Sequence, residues 1–191
     1  MVQILQKEAP VLRAVAESVN SKDFGSARLK KILHDMQVAL EKEHDGVAIA
    51  APQIGVPLRI FIVSHRAFVV QTNTAPTPEQ EKVTSTPKNV IFINPVVVKL
   101  SRKKKWVPEG CLSVRWLYGE VSRADKATVE AYDENGKKFS RGGSGLMAQI
   151  FQHETDHLNG VLFIDTARNV EVITQEDQER MRLENETAGN L

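Results

Sequence analysis

The segment His153-Glu154-Thr155-Asp156-His157 is the most informative part of this 191-residue chain. Residues four apart share one face of an α-helix, so His153 and His157 can bind the same metal ion. Glu154 then lies beside the ion, where a carboxylate can hold a water molecule or take a proton from it. The segment therefore predicts a helix with a metal site on its surface.

The only cysteine of the chain, Cys111, lies in the sequence Glu109-Gly110-Cys111-Leu112-Ser113. A thiolate and two imidazoles supply three ligands, which leaves the fourth position of a tetrahedral ion for water, as in catalytic rather than structural sites. Alone, a buried cysteine is more often a small core residue, and a His-x-x-x-His pair is often a half-buried helix face. The two motifs together favour a metal site.

Three segments resemble the motifs of the peptide deformylase family, in the family's order. They are residues 46–53 (GVAIAAPQ), 109–113 (EGCLS) and 152–160 (QHETDHLNG), and weaker similarity covers most of residues 1–168. The second and third motifs together are highly specific, whereas HExxH alone is not. The resemblance implies a metal-dependent hydrolase that removes the formyl group from the N-terminal formyl-methionine of newly made polypeptides and releases formate.

The resemblance also implies roles for the site residues. The cysteine and the two histidines, Cys111, His153 and His157, would hold one divalent metal ion. Fe(II) is the expected ion, and Zn, Ni or Co are the expected substitutes. Glu154 would transfer protons between water and the leaving amine.

Two further catalytic groups and a substrate site follow from the same resemblance. Gln53 and the backbone N–H of Leu112 would face the developing oxyanion. The peptide would pair as an added strand near Ala48 and Gly110, and its methionine side chain would enter an apolar slot. The predicted substrate-binding residues are Val47, Ala48, Val107, Glu109, Gly110, Leu146 and Ile150.

The chain departs from the family pattern at three positions. Ala48 stands where a second glycine is usual, which narrows the allowed backbone conformations. Arg115 stands where proline often follows the cysteine motif. Gln149 stands one turn before His153, where an apolar residue or arginine is more usual, and would put a polar group beside the methionine slot.

The composition predicts a soluble, cytoplasmic protein. The formal net charge of +1 gives no bulk field for DNA or RNA, and no apolar run has the length of a membrane span. A single cysteine excludes an internal disulfide framework and suits a reducing compartment. The expected partners are nascent formyl-methionyl peptides, with the ribosome as a further candidate; the acidic tail after Val170 lacks the basic helix that some relatives use for docking.

The predicted fold class is α+β, with mostly antiparallel sheets around the central metal-binding helix. Apolar spacing predicts another helix within residues 26–44, a short β-branched and apolar run predicts a strand at 58–63, and residues 90–100 are predicted to form a strand interrupted at Asn94-Pro95. Residues 126–141 carry a hairpin pattern. Residues 1–168 are predicted to form one catalytic domain with a loop insertion at 64–89, and residues 169–191 a tail with a short helix. Ser144 is the expected N-cap of the metal-binding helix.

Two alternative functions remain open at this stage. A zinc protease or other amidase could use HExxH, but such an enzyme would draw its third ligand from a later His or Glu, and none stands at a known spacing here. A non-catalytic, ribosome-associated peptide clamp could keep the fold, but it would have no need of Glu154. Metal contact by Cys111 distinguishes the first alternative, and formate release distinguishes the second.

Overall fold

The computed structural model describes residues 2–67, 88–174 and 177 of the chain. Within this part, the helices are α1 (Ala27–Lys42) and α2 (Leu146–Leu158). The strands are β1 (Ala48–Ala50), β2 (Ile60–Val63), β3 (Val90–Leu100), β4 (Lys104–Gly110), β5 (Leu117–Ala124), β6 (Lys126–Tyr132), β7 (Lys138–Ser144) and β8 (Arg168–Val172). All strand pairs are antiparallel, as the predicted α+β class requires.

The strands form two sheets. One has the order β1-β2-β3-β6-β7 and the other the order β4-β5-β8. The first sheet is covered on both faces, because α1 packs on one side and α2 on the other. Ile60 and Ile62 belong to the core with α1, whereas Phe61 and Val63 belong to the core with α2. Burial on both faces explains why β2 is apolar at every position.

Helix α2 lies at the centre of the molecule and contacts strands of both sheets. Phe151 anchors it through fully buried aromatic contacts, with ring centroids 5.4 Å from Phe92 and 6.4 Å from Phe61. Large buried aromatic side chains contribute strongly to core packing. The helix that carries both histidines is therefore held rigidly, as a precise metal site requires.

Three details qualify the sequence-based description. Ser144 is the last residue of β7, and the N-cap of α2 is Gly145 at φ 54°, with no side-chain cap, so the predicted serine cap is wrong. The β4-β5-β8 sheet continues beyond residue 168, the predicted end of the catalytic domain, because β8 pairs with β5. Most of the predicted 64–89 insertion and of the predicted tail helix lies outside the described residues. Among the helices of the described part, none is long and apolar enough to cross a membrane.

Candidate metal centre and active site

The structure brings Cys111, His153 and His157 together. Cys111 directly follows β4, and the histidines project from successive turns of α2. Their ligand atoms all lie within 4.8 Å of one another, and Cys111 Sγ is 3.2 Å from His157 Nε2. A tetrahedral ion with ordinary bond lengths would hold a sulfur and a nitrogen about 3.6 Å apart. A thiolate and two imidazoles at these separations fit a first-row divalent ion after a small adjustment.

A buried ion-pair network orients one of the histidines. His153 Nδ1 lies 3.0 Å from Glu109 Oε2, which directs Nε2 toward the cysteine. Arg123 donates two hydrogen bonds to Glu109, at 2.7 and 3.0 Å, and a third to Asp156 at 2.6 Å. Burial disfavours the Glu109 carboxylate, but the bonds from His153 and Arg123 outweigh it and lower the pKa of Glu109 to about 2. Glu109 therefore acts as a charged support for His153, a common arrangement behind metal ligands.

The pKa of the Cys111 thiol is lowered and the pKa of the Glu154 carboxyl is raised. Burial opposes ionisation of Cys111, but the neighbouring His157 and His153 prevail and lower its pKa to about 5. Burial raises the pKa of Glu154 to about 7, with the negative charges of Cys111 and Glu109 adding to the effect. A thiolate at neutral pH is ready to bind metal, and a carboxyl that titrates near 7 can both accept and release protons.

Glu154 is poised to bind a ligand. Its side chain is buried, and its Oε2 has no hydrogen-bond partner within the described residues. A buried carboxylate oxygen without a partner costs free energy unless a ligand or water completes it. The Glu154 carboxylate lines the cavity beside the Cys111–His153–His157 cluster, so a substrate or water molecule there could donate a hydrogen bond to it.

Gln53 and Leu112 present donors on the same side. The backbone N–H of Ala50 donates to Gln53 Oε1 at 2.8 Å, so the amide nitrogen faces the cluster and donates to Ser113 Oγ at 3.0 Å, with Cys111 Sγ 3.7 Å away. Within the part of the chain described here, the N–H of Leu112 has no protein acceptor. The N–H of Leu112 can therefore donate to an oxygen placed at the cluster, and Gln53 Nε2 can do so when that oxygen replaces its weak acceptor, Cys111 Sγ.

A cavity of about 370 Å³ opens onto this cluster. Most predicted site residues line it, namely Val47, Ala48, Gln53, Glu109, Gly110, Cys111, Leu112, Leu146, Ile150, His153 and Glu154. His157 lies behind the others and is buried. Val107 is not in the lining, because the part of β4 that reaches the cavity is Pro108, Glu109 and Gly110.

Two sheet edges border the cavity. Strand β1 is the terminal strand of one sheet and supplies Ala48, while β4 is the terminal strand of the other and supplies Pro108 and Gly110. Terminal strands carry backbone N–H and C=O groups without strand partners on one side. An extended peptide between these edges would find hydrogen-bonding groups that do not depend on its own side chains.

The rim of the cavity holds an ion pair that the sequence did not predict. Arg115 donates to Asp45 and to Glu43, each at 2.6 Å, and its guanidinium lies 4.8 Å from the ring centroid of Trp116. These contacts connect the segment after the cysteine motif to the segment that leads into β1. Arginine at the family's proline position thus replaces a rigid residue with a bridge between two walls of the cavity.

Gly110 is required by close packing. A Cβ atom at this position would lie 2.5 Å from the Tyr118 ring. We expect Gly110→Ala to lower the free energy of unfolding by about 1–3 kcal/mol, the usual cost of overpacking, and to displace the adjacent Cys111. Urea denaturation measures the loss, and Gly142→Ala is the control, because a Cβ there would meet nothing nearer than 3.8 Å. Equal stability of the two variants would contradict this packing argument.

Arg123 completes the buried network and was not among the residues predicted from the sequence. A signal for it existed in β5, where Gly119, Val121 and Arg123 alternate on one face and the first two are buried. An arginine at the next inward position needs a buried carboxylate partner. Asp156, inside the HETDH segment, is the second partner, and its role was also not predicted.

A Cys-His-His cluster beside a buried carboxyl, at the base of a cavity, defines a metal-dependent hydrolase. The sequence model of the polypeptide deformylase family matches residues 1–172. Peptide deformylase 1A of Arabidopsis thaliana is 36% identical over 166 residues, covering 85% of this chain and 60% of the relative. The peptide deformylase of Rhizobium meliloti is 40% identical over 158 residues, covering 82% of this chain and 79% of the relative.

Solved structures agree with these relatives. The class I type b peptide deformylase of Acinetobacter baumannii, crystallised with Met-Ala-Ser bound, superposes with a TM-score of 0.71 at 28% identity, over 86% of this chain and 98% of that one. The chain belongs to the polypeptide deformylase family, whose enzymes remove the N-terminal formyl group from nascent polypeptides and depend on a divalent metal.

Proposed function

We propose that this cavity hydrolyses the formamide of nascent formyl-methionyl peptides, with Glu154 as the proton-transfer residue. The observation that carries the proposal is the unpaired, buried Glu154 carboxylate beside the Cys111–His153–His157 cluster. Hydrolysis adds water across the C–N bond and yields formate and the free amino terminus. Such a reaction needs a nucleophile, a polarised carbonyl and a proton for the leaving amine.

The protein supplies these needs from fixed positions. Cys111, His153 and His157 would hold the metal, which when bound supplies the Lewis acidity that lowers the pKa of water toward about 7. Glu154 would accept the proton of the attacking water and deliver it to the leaving amine. Gln53 Nε2 and the N–H of Leu112 would donate to the oxyanion, where one such donor is worth about 2.7–4 kcal/mol.

Substrate recognition follows from the walls of the cavity. The peptide would lie between β1 and β4, paired through backbone groups near Ala48 and Gly110. Its first side chain would then enter the apolar part of the cavity formed by Val47, Leu146 and Ile150. Backbone pairing suits an enzyme that acts on many different proteins.

The decisive experiment measures formate release from formyl-Met-Ala-Ser by protein purified without oxygen. We expect a specificity constant about 10- to 150-fold higher than for formyl-Ala-Ala-Ser, since burying a methionine side chain is worth about 1.5–3 kcal/mol. Comparable values for the two peptides would remove the apolar site. Absence of formate with either peptide would overturn the proposed reaction and favour a binding module.

Fe(II) is the ion we propose for this site. We expect the iron-loaded enzyme to lose activity in air faster than the nickel-loaded enzyme, because iron near a thiolate promotes its oxidation to sulfenic and sulfinic acids. Cys111 is the sole cysteine of the chain, so mass spectrometry can assign any cysteine oxidation to it. Equal lifetimes of the two forms, with Cys111 unmodified, would refute the expectation.

The cytoplasm is the compartment we propose for this reaction. The pKa of Cys111 near 5 makes it a thiolate at neutral pH, and a thiolate that lines an open cavity survives best in a reducing environment. The substrate emerges at the ribosome, so transient contact with that particle is expected.

A further inference from the structure

We infer that Gln149 is a specificity residue that lets this enzyme accept formyl-methionine sulfoxide as a first residue, in addition to formyl-methionine. The inference rests on the proposed function of the cavity. It concerns a side chain that the reaction itself does not use. Oxidation of an N-terminal methionine turns an apolar, flexible side chain into a polar, chiral one.

Gln149 lies where the first side chain of the substrate must go. It lines the cavity together with Leu146 and Ile150, and it precedes the metal-ligating His153 by one turn of α2. The formyl carbon must reach the Cys111–His153–His157 cluster, so the adjacent methionine side chain would extend along α2 near Gln149. An apolar wall at this position would suit a hydrocarbon, but Gln149 adds an amide to it.

One hydrogen bond restrains the amide. Its Nε2 donates to the carbonyl of Pro108 at 2.8 Å, which links α2 to the end of β4. A carbonyl oxygen only accepts, so the nitrogen and not the oxygen of the amide must face Pro108. This bond uses one of the two N–H donors. Within residues 2–67 and 88–174, Gln149 makes no other side-chain hydrogen bond, so its second N–H remains for a ligand.

Three residues that could stand first in the substrate have side chains of similar length but differ in how well they accept a hydrogen bond from Gln149. Norleucine offers no acceptor, the thioether of methionine is a weak acceptor, and the sulfoxide oxygen is a strong one. In a purely apolar slot the sulfoxide would be buried without a partner, which reduces affinity by a factor on the order of ten or more. A fixed amide donor removes this penalty. Because the donor has one position, it should also favour one sulfoxide epimer over the other.

The test compares specificity constants for formyl-methionyl, formyl-norleucyl and the two separated formyl-methionine sulfoxide tripeptides. The variants are Gln149→Leu, which is apolar, and Gln149→Glu, which keeps the shape but loses the donor. We expect the ratio of sulfoxide to norleucine substrate to fall in both variants by a factor on the order of ten, and the epimer preference to disappear. Damage to the fold would lower the specificity constants of all substrates by the same factor, and that factor cancels in this ratio.

The outcomes separate this inference from the proposed function. If Gln149 only ties α2 to β4, activity falls for every peptide and the sulfoxide-to-norleucine ratio is unchanged, which overturns the inference. Strong rejection of both sulfoxide epimers by the unaltered enzyme, with normal turnover of formyl-methionine, also overturns it. Failure of the unaltered enzyme on formyl-methionine itself would instead overturn the proposed function.

Discussion

Glu154→Gln is expected to reduce formate release by about 10²–10⁴-fold while leaving metal content and fold unchanged. Glutamine keeps the size of the side chain but cannot accept a proton from water. Glu154 is not one of the three clustered ligand residues, so its replacement leaves the donor set intact. The measurement pairs steady-state formate release with elemental analysis of the purified variant.

Thr155→Ala is the matched control, because it changes the next residue of the same helix. Among the described residues, Thr155 Oγ1 bonds only to the Phe151 carbonyl of the preceding turn, at 2.7 Å, so we expect its loss to affect the helix and not the site. Near-normal turnover by Glu154→Gln, or loss of its metal, would reject the assigned role. A similar loss in both variants would point to damage to α2.

Arg123→Met is expected to lower the free energy of unfolding by about 3–5 kcal/mol, because it leaves a buried carboxylate without its partner. The Glu109 side chain is 2% exposed, and two of its hydrogen bonds come from Arg123. The same change should weaken metal binding by about 10- to 100-fold, since Glu109 would no longer hold His153 in place. Urea denaturation and metal titration measure the two effects.

Arg168→Met is the control for this prediction. Arg168 also forms an arginine–carboxylate pair on the smaller sheet, with Glu120 at 3.1 Å, but its side chain is 49% exposed. Exposed ion pairs contribute about 1 kcal/mol or less, and the exposed contact of Arg168 with Trp106, 3.8 Å from the ring centroid, contributes a similar amount, so this variant should lose about 2 kcal/mol at most. The double variant Arg123→Met/Glu109→Gln should lose less free energy of unfolding than the two single variants lose in total. Additive losses would show that the pair is not coupled.

The clustering of Cys111, His153 and His157 was predictable because each motif is local. His153 and His157 share a helix face through the four-residue spacing alone, and the cysteine motif has a fixed sequence around Cys111. The hairpin of β6 and β7 was likewise predictable from a turn between alternating runs. The N-cap of α2 was not, because Ser144 continues β7 and the chain turns at Gly145 through a positive φ.

The supporting residues could not be derived from spacing. Arg123 meets Glu109 only because β4 and β5 pair in one particular register, and a shift of one residue would turn Arg123 to the opposite face. Arg115 meets Glu43, 72 positions away, only where the fold brings the segment after β4 against the end of α1. Val107 was predicted to line the methionine slot but does not line the cavity. The sequence does not show at which residue of β4 the cavity wall begins.

The sequence by itself predicted the fold class and the candidate site, with three possible metal ligands and a proposed proton-transfer carboxyl, because motif spacing and the resemblance to a known family can both be read without a structure. Only the tertiary structure decided how that chemistry is supported. Register placed Arg123 against Glu109, and packing placed the Gln149 amide in the substrate cavity. These contacts join residues far apart in the chain, and their geometry follows from the assembly of sheets around α2.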